Sequence, residues 1–253
     1  MSTSEAAAGF TPDWPLPPGV SAWITTRNGG CSEMPYSSNN LALHVGDNQA
    51  SVEQNRQQLL QQLAGAQTIQ WLNQTHSDRV IKADDNALQT PQQQAPQQTP
   101  EADACFTREP GLVCSVMTAD CLPVLIAAKD GSQVAAVHAG WRGLAAGIVQ
   151  NTLAQFTADV TVYLGPAIGP QQFEVGPDVR QAFAWASDDC FQPGRGDRLM
   201  ANIYQLARET LMSAGVNEIY GGEYCTVTDA ETFYSYRREG QTGRMASLIW
   251  INK

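Results

Sequence analysis

Two histidines and one cysteine are the residues of this chain whose types and positions best suit chemistry. His76, Cys121 and His138 each come at the end of a predicted strand or directly after one, beside a polar or glycine-containing turn. Such turns bring side chains from distant parts of a chain to one place. Imidazole and thiolate together suit zinc, and three protein ligands leave a fourth coordination position for water, as in catalytic zinc sites. We therefore expect a zinc site at which copper would be an adventitious occupant.

The same residues allow two other interpretations. Cys121 would serve as a nucleophile if His138 or His76 were its base and Asp120 or a carbonyl the orienting group, which describes a Cys-His hydrolase. Because the three positions lie far apart in sequence, they also fit two ordinary, partly buried histidines and a core thiol.

Composition limits the classes of protein to which the chain can belong. Its 253 residues, 43% hydrophobic and 16% charged, are typical of a globular protein with a sizeable core. A net charge of −10 argues against a nucleic-acid partner. The 15 basic residues include only three lysines, and an excess of arginine favours an anionic small ligand. No apolar run reaches the roughly 18 residues of a membrane span.

The N-terminal residues, the cysteine spacing and a Gln/Pro-rich segment predict the location of the protein in the cell and its domain organisation. Residues 1–18 lack the basic and apolar regions of a signal peptide, so we expect an N-terminal tail and a cytoplasmic protein. The six cysteines are irregularly spaced, which favours reduced thiols over a disulfide framework. Residues 86–101 are rich in Gln and Pro and are expected to form an exposed loop within a single domain, 1–253.

Hydrophobic patterning predicts interleaved strands and helices. Predicted strands cover 22–26, 68–72, 80–83, 112–117, 123–128, 133–137, 160–164 and 247–251. Predicted helices cover 52–63, 144–156, 177–187 and 198–214. Both tight turns and helices connect the strands, which favours an α/β (α+β) fold with mixed sheets.

Long motifs in a fixed order make the chain similar to a known family. They are TTRNGG (25–30), NNLALHVGDN (39–48), WLNQTHSDRV (71–80), ADACFT (102–107), TADCLPVL (118–125), HAGWRG (138–143), LGPAIGP (164–170), FEVG (173–176) and FYSYRREGQTGRMASLIW (233–250). They span almost the whole chain and resemble the YfiH family. That family is also described as laccase-domain proteins, polyphenol oxidases, purine nucleoside phosphorylases and peptidoglycan editing factors.

The resemblance implies a fold, a metal and a set of reactions. The implied fold is a four-layer α/β/β/α domain, with zinc held by His76, Cys121 and His138. The implied reactions are phosphorolysis of adenosine, inosine, guanosine and methylthioadenosine by orthophosphate, and deamination of adenosine. Hydrolytic editing of muropeptide precursors of peptidoglycan is the alternative. One departure is that Gln171 and Gln172 stand where many members have cysteines.

The other expected site residues lie in or beside these motifs. Phosphate clamps are expected among arginines in turns, base-stacking rings among neighbouring aromatic residues, and further roles at two acids. For each arginine, the alternative role is a structural salt bridge, and for most of the aromatic residues it is core packing. His44 either belongs to the site or only shapes a turn. The candidates are the arginines Arg27, Arg56, Arg142, Arg237 and Arg238, the aromatic residues Trp141, Phe173, Tyr234 and Tyr236, the catalytic residue Glu174 and the substrate-binding residue Asp120.

Two other metal chemistries are disfavoured by the sequence. A multicopper laccase needs a mononuclear centre and a trinuclear cluster, and three histidines are too few to ligate them. The HxE…PCxxC signature of zinc deaminases that act on nucleic acids is missing, so any deamination must use another site design.

Overall fold

Fourteen strands and six short-to-medium α-helices alternate along the computed structural model, which describes residues 8–83 and 99–253. The strands are β1 Gly9–Phe10, β2 Val20–Thr25, β3 Thr68–Gln70, β4 Val80–Lys82, β5 Ala104–Thr107, β6 Leu112–Thr118, β7 Leu122–Ala128, β8 Val134–Ala139, β9 Val160–Leu164, β10 Glu174–Val175, β11 Phe191–Pro193, β12 Leu199–Ala201, β13 Ile219–Gly221 and β14 Met245–Ile251. The helices are α1 Gln49–Gln62, α2 Trp141–Ala146, α3 Ile148–Leu153, α4 Pro177–Ala182, α5 Ile203–Ser213 and α6 Tyr236–Glu239.

Two large mixed sheets form the centre of the molecule. The first has the order β1-β2-β14-β6-β3 and is antiparallel except for the β3–β6 pair. The second has the order β13-β9-β7-β8-β5-β4, with parallel pairs at both edges and antiparallel pairs between them. A third sheet is small and antiparallel, has the strand order β10-β12-β11, and is separate from the other two. The expectation of mixed sheets is confirmed.

Side-chain alternation along the strands explains how the layers stack. Because successive residues of a strand point to opposite faces, each sheet of this protein buries two surfaces. On β6, Leu112 and Cys114 join the core between the two sheets, whereas Val113 joins a second core with Leu59 of α1. The outer face of the second sheet packs against α2, α3, α4 and α5. The layers therefore run α/β/β/α in one domain, as expected.

Local capping residues decide where several helices begin and end. Asn48 caps α1 by accepting hydrogen bonds from the amides of Ala50 and Ser51. The predicted helix 144–156 is instead two helices, because Gly147 adopts a left-handed φ of 99° that ends α2. The predicted helix 198–214 begins only at Ile203, after Asn202 accepts a cap hydrogen bond from the Gln205 amide.

Other departures concern short elements. The predicted helix 177–187 ends earlier, since α4 covers Pro177–Ala182. The start of the predicted helix 198–214 is strand β12, Leu199–Ala201. Strands β10 and β11 were not predicted because two or three residues show no measurable periodicity.

The segment expected to be an N-terminal tail is packed onto the core from residue 9 onwards. Gly9 and Phe10 form β1 and pair with β2, and the Trp14 side chain is only 6% exposed. Trp14 donates a hydrogen bond of 2.8 Å to the Thr161 hydroxyl. The tail prediction is therefore wrong for these residues, because burial of their aromatic rings fixes them to both sheets.

Two expectations fall wholly or largely outside the described residues. These are the start of the tail, residues 1–7, and most of the Gln/Pro-rich segment, residues 86–98. Its last residue, Glu101, is described and forms a bridge with Asn73. Among the described residues, no helix combines the length and apolar character needed to cross a bilayer.

Candidate active site

The chain crosses from one sheet to the other at the point where Cys121 lies. β6 of the first sheet ends at Thr118, and β7 of the second begins at Leu122. Asp120 lies in this crossing with a φ of 89°, a left-handed conformation that is rare for a residue other than glycine. In the β7–β8 pair, Pro123 lies opposite His138. Antiparallel pairing thus brings Cys121 beside the end of β8, where His138 lies.

His76 completes a cluster of three donors. Its backbone φ is 61°, which turns the loop after β3 towards the end of β8. The ligand atoms of His76, Cys121 and His138 lie within 4.8 Å of one another. The Cys121 Sγ atom is 3.8 Å from His76 Nε2. Ligands arranged tetrahedrally around zinc at about 2.0–2.3 Å lie roughly 3.3–3.8 Å apart. The Sγ–Nε2 distance therefore suits one ion, and the widest separation in the cluster would have to shorten on binding.

A buried carboxylate, Asp103, holds two of the three donors in place. Its Oδ1 atom lies 2.7 Å from His138 Nδ1 and accepts a hydrogen bond of 3.0 Å from the His76 amide. Its Oδ2 atom accepts from the amide and hydroxyl of Ser77 at 2.6 and 2.7 Å, and from the Thr75 amide at 3.2 Å. Because Nδ1 of His138 faces Asp103, Nε2 is left to face the cluster. This is the usual way in which a carboxylate orients a metal-binding histidine.

Ionisation favours metal binding at Asp103 and Cys121 but not at His138. Burial opposes ionisation of Asp103, but hydrogen bonds from His138 and Ser77 outweigh it and hold its pKa well below the usual range. Burial likewise opposes ionisation of Cys121, yet the charges and hydrogen bonds of His138 and His76 lower its pKa. The thiolate is the form that binds metals and attacks electrophiles. Burial opposes protonation of His138, yet the charge of Cys121 and the hydrogen bond to Asp103 raise its pKa to about 9, so a metal ion would have to displace a proton there.

Gly140 leaves the space that the cluster needs. A Cβ atom added there would lie 3.0 Å from Cys121 Sγ and 3.2 Å from His76 Cδ2. Any other residue would therefore press on two of the three donors. The donor set, the orienting carboxylate and this glycine together fit a mononuclear metal ion of the zinc type.

The cluster forms one wall of a cavity of about 380 Å³. The cavity lies where the ends of β6 and β8 meet the starts of β7 and β14. Its lining residues are His44, Gln74, His76, Met117, Thr118, Ala119, Asp120, Cys121, His138, Trp141, Arg142, Ile168, Phe173, Ile203, Tyr236, Arg237 and Arg244. The cavity thus collects most of the expected site residues, namely His76, Cys121, His138, Asp120, Trp141, Arg142, Phe173, Tyr236 and Arg237.

Five candidate residues do not line the cavity, and the first three are Arg27, Arg56 and Glu174. Arg27 forms an ion pair of 2.6 Å with Glu239. Arg56 donates to the Leu41 carbonyl at 2.8 Å and stacks on a tryptophan ring, and burial lowers its pKa to about 10. Glu174 lies in β10 and accepts a long hydrogen bond from the Arg195 amide. The contacts of all three are made within the protein, and their roles in substrate binding or catalysis stay predictions.

Asp120 lines the cavity, but its carboxylate is occupied by the protein. One oxygen accepts a hydrogen bond of 2.6 Å from the Thr226 hydroxyl, and the other accepts one of 2.6 Å from the Arg237 amide. The residue therefore fixes the start of α6 to the sheet crossing. Arg238 and Tyr234, also considered from the sequence, are similarly used within the fold.

Sequence reasoning missed Asp103, Gln74 and Arg244. Gln74 makes two hydrogen bonds of 2.8 Å to the backbone of Met117, and Arg244 is half-buried beside the cavity. All three lie in motif segments that carried the resemblance, but a buried acid and a half-buried amide have no spacing signal of their own. His44 also lines the cavity, and burial together with nearby arginines lowers its pKa.

Comparison with known proteins identifies the family. The sequence profile described as "Multi-copper polyphenol oxidoreductase laccase" matches residues 21–252. A relative from Shigella flexneri, named "Purine nucleoside phosphorylase YfiH", is 48% identical over 249 residues and covers 96% of this chain and 98% of its own. The chain belongs to the YfiH family. This confirms the resemblance seen in the motifs.

Two further YfiH-family relatives agree in sequence and in fold. A Pseudomonas aeruginosa protein named as a purine nucleoside phosphorylase is 45% identical and covers 96% of this chain and 98% of its own. A crystal structure of a Neisseria meningitidis protein superposes with a TM-score of 0.89 at 45% identity, covering 98% of this chain and 100% of that one. The α/β/β/α architecture is therefore that of a solved YfiH-family structure.

Proposed function

We propose that the chain is a zinc-dependent purine nucleoside phosphorylase that also deaminates adenosine. The observation that carries this proposal is the opening of the His76, Cys121 and His138 cluster into a cavity with several unpaired arginines. The names of the Shigella and Pseudomonas relatives support the same reaction. The proposed substrates are adenosine, inosine, guanosine and methylthioadenosine together with orthophosphate.

The charge of the cavity favours an anionic reactant. Arg142, Arg237 and Arg244 form no ion pair with any carboxylate in the described part of the chain. Ion pairs are formed instead by Arg27, Lys129, Arg180 and Arg238, which lie outside the cavity lining. Asp120 is the one acid among the described lining residues, and both its oxygens are already bonded. A positive cavity in a chain of net charge −10 is well suited to concentrate orthophosphate.

Aromatic side chains at the cavity suit a purine base. Trp141 is half-buried, and Tyr236 is 61% exposed at the same cavity. Phe173 contributes one edge but packs mainly into the core with α5. We therefore assign base stacking to Trp141 and Tyr236 rather than to Phe173.

In this proposal, the three donors hold the metal, and Asp103 and Gly140 support the donors. Asp103 orients His138 and anchors the His76 loop, and Gly140 keeps the donors close. A zinc ion held by the three donors would supply Lewis-acid chemistry at its open coordination position. Phosphorolysis would bring orthophosphate to the ribose carbon of the glycosidic bond, whereas deamination would need only water as the second reactant.

The laccase description fits this chain less well than the phosphorylase names. All three histidines lie in the described residues, and only two of them belong to the donor cluster. That number is too small for a mononuclear and a trinuclear copper centre, although a single copper would bind an N/S site tightly. We therefore propose zinc as the resident metal. No contact of the described cavity specifically favours a muropeptide.

Arg142 offers a test that separates the two proposed reactions. Its guanidinium stacks over the Trp141 ring at 4.3 Å and makes no hydrogen bond to a described residue, so it is free to bind an anion. We expect Arg142→Ala to lower phosphorolysis of adenosine by on the order of 10- to 100-fold, the worth of a charge-assisted hydrogen bond. Deamination should persist, because it needs no phosphate. Product analysis for adenine and inosine measures both, and an equal loss of both products would contradict the assignment.

A Cys-His hydrolase remains a second candidate because the Cys121 pKa is lowered beside His138. As a zinc ligand, Cys121 should resist iodoacetamide in the metal-loaded protein and react once a chelator is added. As a free nucleophile, it should be alkylated quickly with metal present, and activity should fall in step. Mass spectrometry of the Cys121 peptide distinguishes the two results, with the buried Cys114 as an unreactive internal reference.

A further inference from the structure

Arg244 is a half-buried cation whose Nε–Nη2 edge makes no hydrogen bond to a described residue. It directly precedes β14 and lines the cavity. Its Nη1 atom donates to the carbonyls of Thr242 and Gly243 at 2.9 and 3.0 Å. Neither Nε nor Nη2 donates a hydrogen bond to any residue in the described ranges, and no carboxylate there forms an ion pair with Arg244.

The two bonds of Nη1 orient the rest of the guanidinium. They fix one end of the planar group to its own loop and leave the Nε–Nη2 edge unbonded. That edge presents two parallel N–H groups, the geometry that matches two oxygens of a phosphate. Because an unpaired charge taken from water is costly, such an edge is expected where a ligand supplies the missing anion.

The other two arginines of the cavity have different roles. Arg237 donates through Nη1 to the carbonyls of Gln172 and Glu174, each at 3.2 Å, and its side chain is exposed. Arg142 is exposed at the start of α2, which follows the second sheet. Arg244 instead approaches from the first sheet, where Met245 pairs with Thr118. Arg142 and Arg244 therefore reach the cavity from different sheets.

We propose that Arg244 binds the orthophosphate from the inner wall of the cavity, opposite the outer contact of Arg142. This assignment rests on the proposed function and specifies where its anionic substrate is held. Arg244 acts through the Nε–Nη2 edge, and its bonds to Thr242 and Gly243 keep that edge pointed at the ligand.

The test is calorimetric titration of inorganic phosphate into the zinc-loaded protein, in chloride buffer of constant ionic strength. Arg244→Gln should weaken phosphate binding by on the order of 10- to 100-fold. Arg244→Lys should weaken it by less, because lysine keeps the positive charge and loses only the paired N–H groups of the guanidinium. Arg195→Gln is the matched control, since it removes one positive charge at an exposed site outside the cavity. Zinc content and thermal unfolding are measured for every variant, so that a misfolded variant is recognised.

Steady-state kinetics separates this assignment from the proposed function. Arg244→Gln should raise the KM for phosphate while leaving the KM for adenosine nearly unchanged. Phosphate binding that depends on Arg244 in a protein without phosphorolysis would support the phosphate site and contradict the proposed function. Phosphate binding that is the same in Arg244→Gln and wild type, or lost equally in Arg195→Gln, would overturn the assignment.

Discussion

The variants His138→Ala and Cys121→Ala are expected to lose both bound zinc and all nucleoside turnover. Each removes one donor of a three-donor cluster whose ligand atoms lie within 4.8 Å of one another. The two remaining donors cannot complete a zinc site, so the loss should exceed the roughly 10- to 100-fold that removal of an outer hydrogen-bond partner costs. Zinc content after dialysis and the initial rate with adenosine measure the two effects.

His44→Ala is the matched control for the histidine variant. His44 lines the same cavity but is not part of the donor cluster, so its removal should leave the zinc content unchanged. Zinc at wild-type stoichiometry in His138→Ala, or lost equally in His44→Ala, would contradict the assignment of the ligands.

Asp103→Asn is expected to give the second-largest effect, although Asp103 would not touch the metal. Its two oxygens accept hydrogen bonds from His138, His76, Ser77 and Thr75. An amide has only one acceptor oxygen, and its NH₂ group would face donors. We expect zinc affinity to fall about 10- to 100-fold. We also expect the free energy of unfolding to fall by about 1–3 kcal/mol for each buried donor left without an acceptor.

Asp78→Asn controls for this change in the same loop. The Asp78 side chain is exposed and, among the described residues, accepts only a long hydrogen bond of 3.3 Å from Asn151. Competition with a chromophoric chelator gives zinc affinity, and urea unfolding gives stability. If Asp103→Asn bound zinc as tightly as Asp78→Asn, the carboxylate would not be what orients His138.

The predicted elements agree best with the structure where the chain forms long apolar strands. The runs that became β6, β7 and β8 are buried along their whole length, and turn residues bound them clearly. Helix α1 was predicted because its cap, Asn48, and its leucines are local signals. The break at Gly147 and the packing of Trp14 were not predicted, because both depend on contacts with distant elements.

The donor cluster could be proposed from residue types, but the residue that orients the donors could not. Strand-end positions and the resemblance indicated His76, Cys121 and His138, and the structure brings them together. Asp103 was missed because only the folded chain shows that a buried acid faces His138. Arg27 and Arg56 were expected to bind substrate, yet an ion pair and a carbonyl engage them, and sequence spacing does not reveal such partners.

The phosphate dependence of adenosine cleavage tests the central claim most directly. Purified protein of defined zinc content is incubated with adenosine, with and without orthophosphate, and the products are separated by chromatography. We expect adenine and ribose 1-phosphate only when phosphate is present, and inosine with ammonia in both cases. Zinc-loaded protein that releases no adenine from adenosine in the presence of phosphate would contradict the central claim.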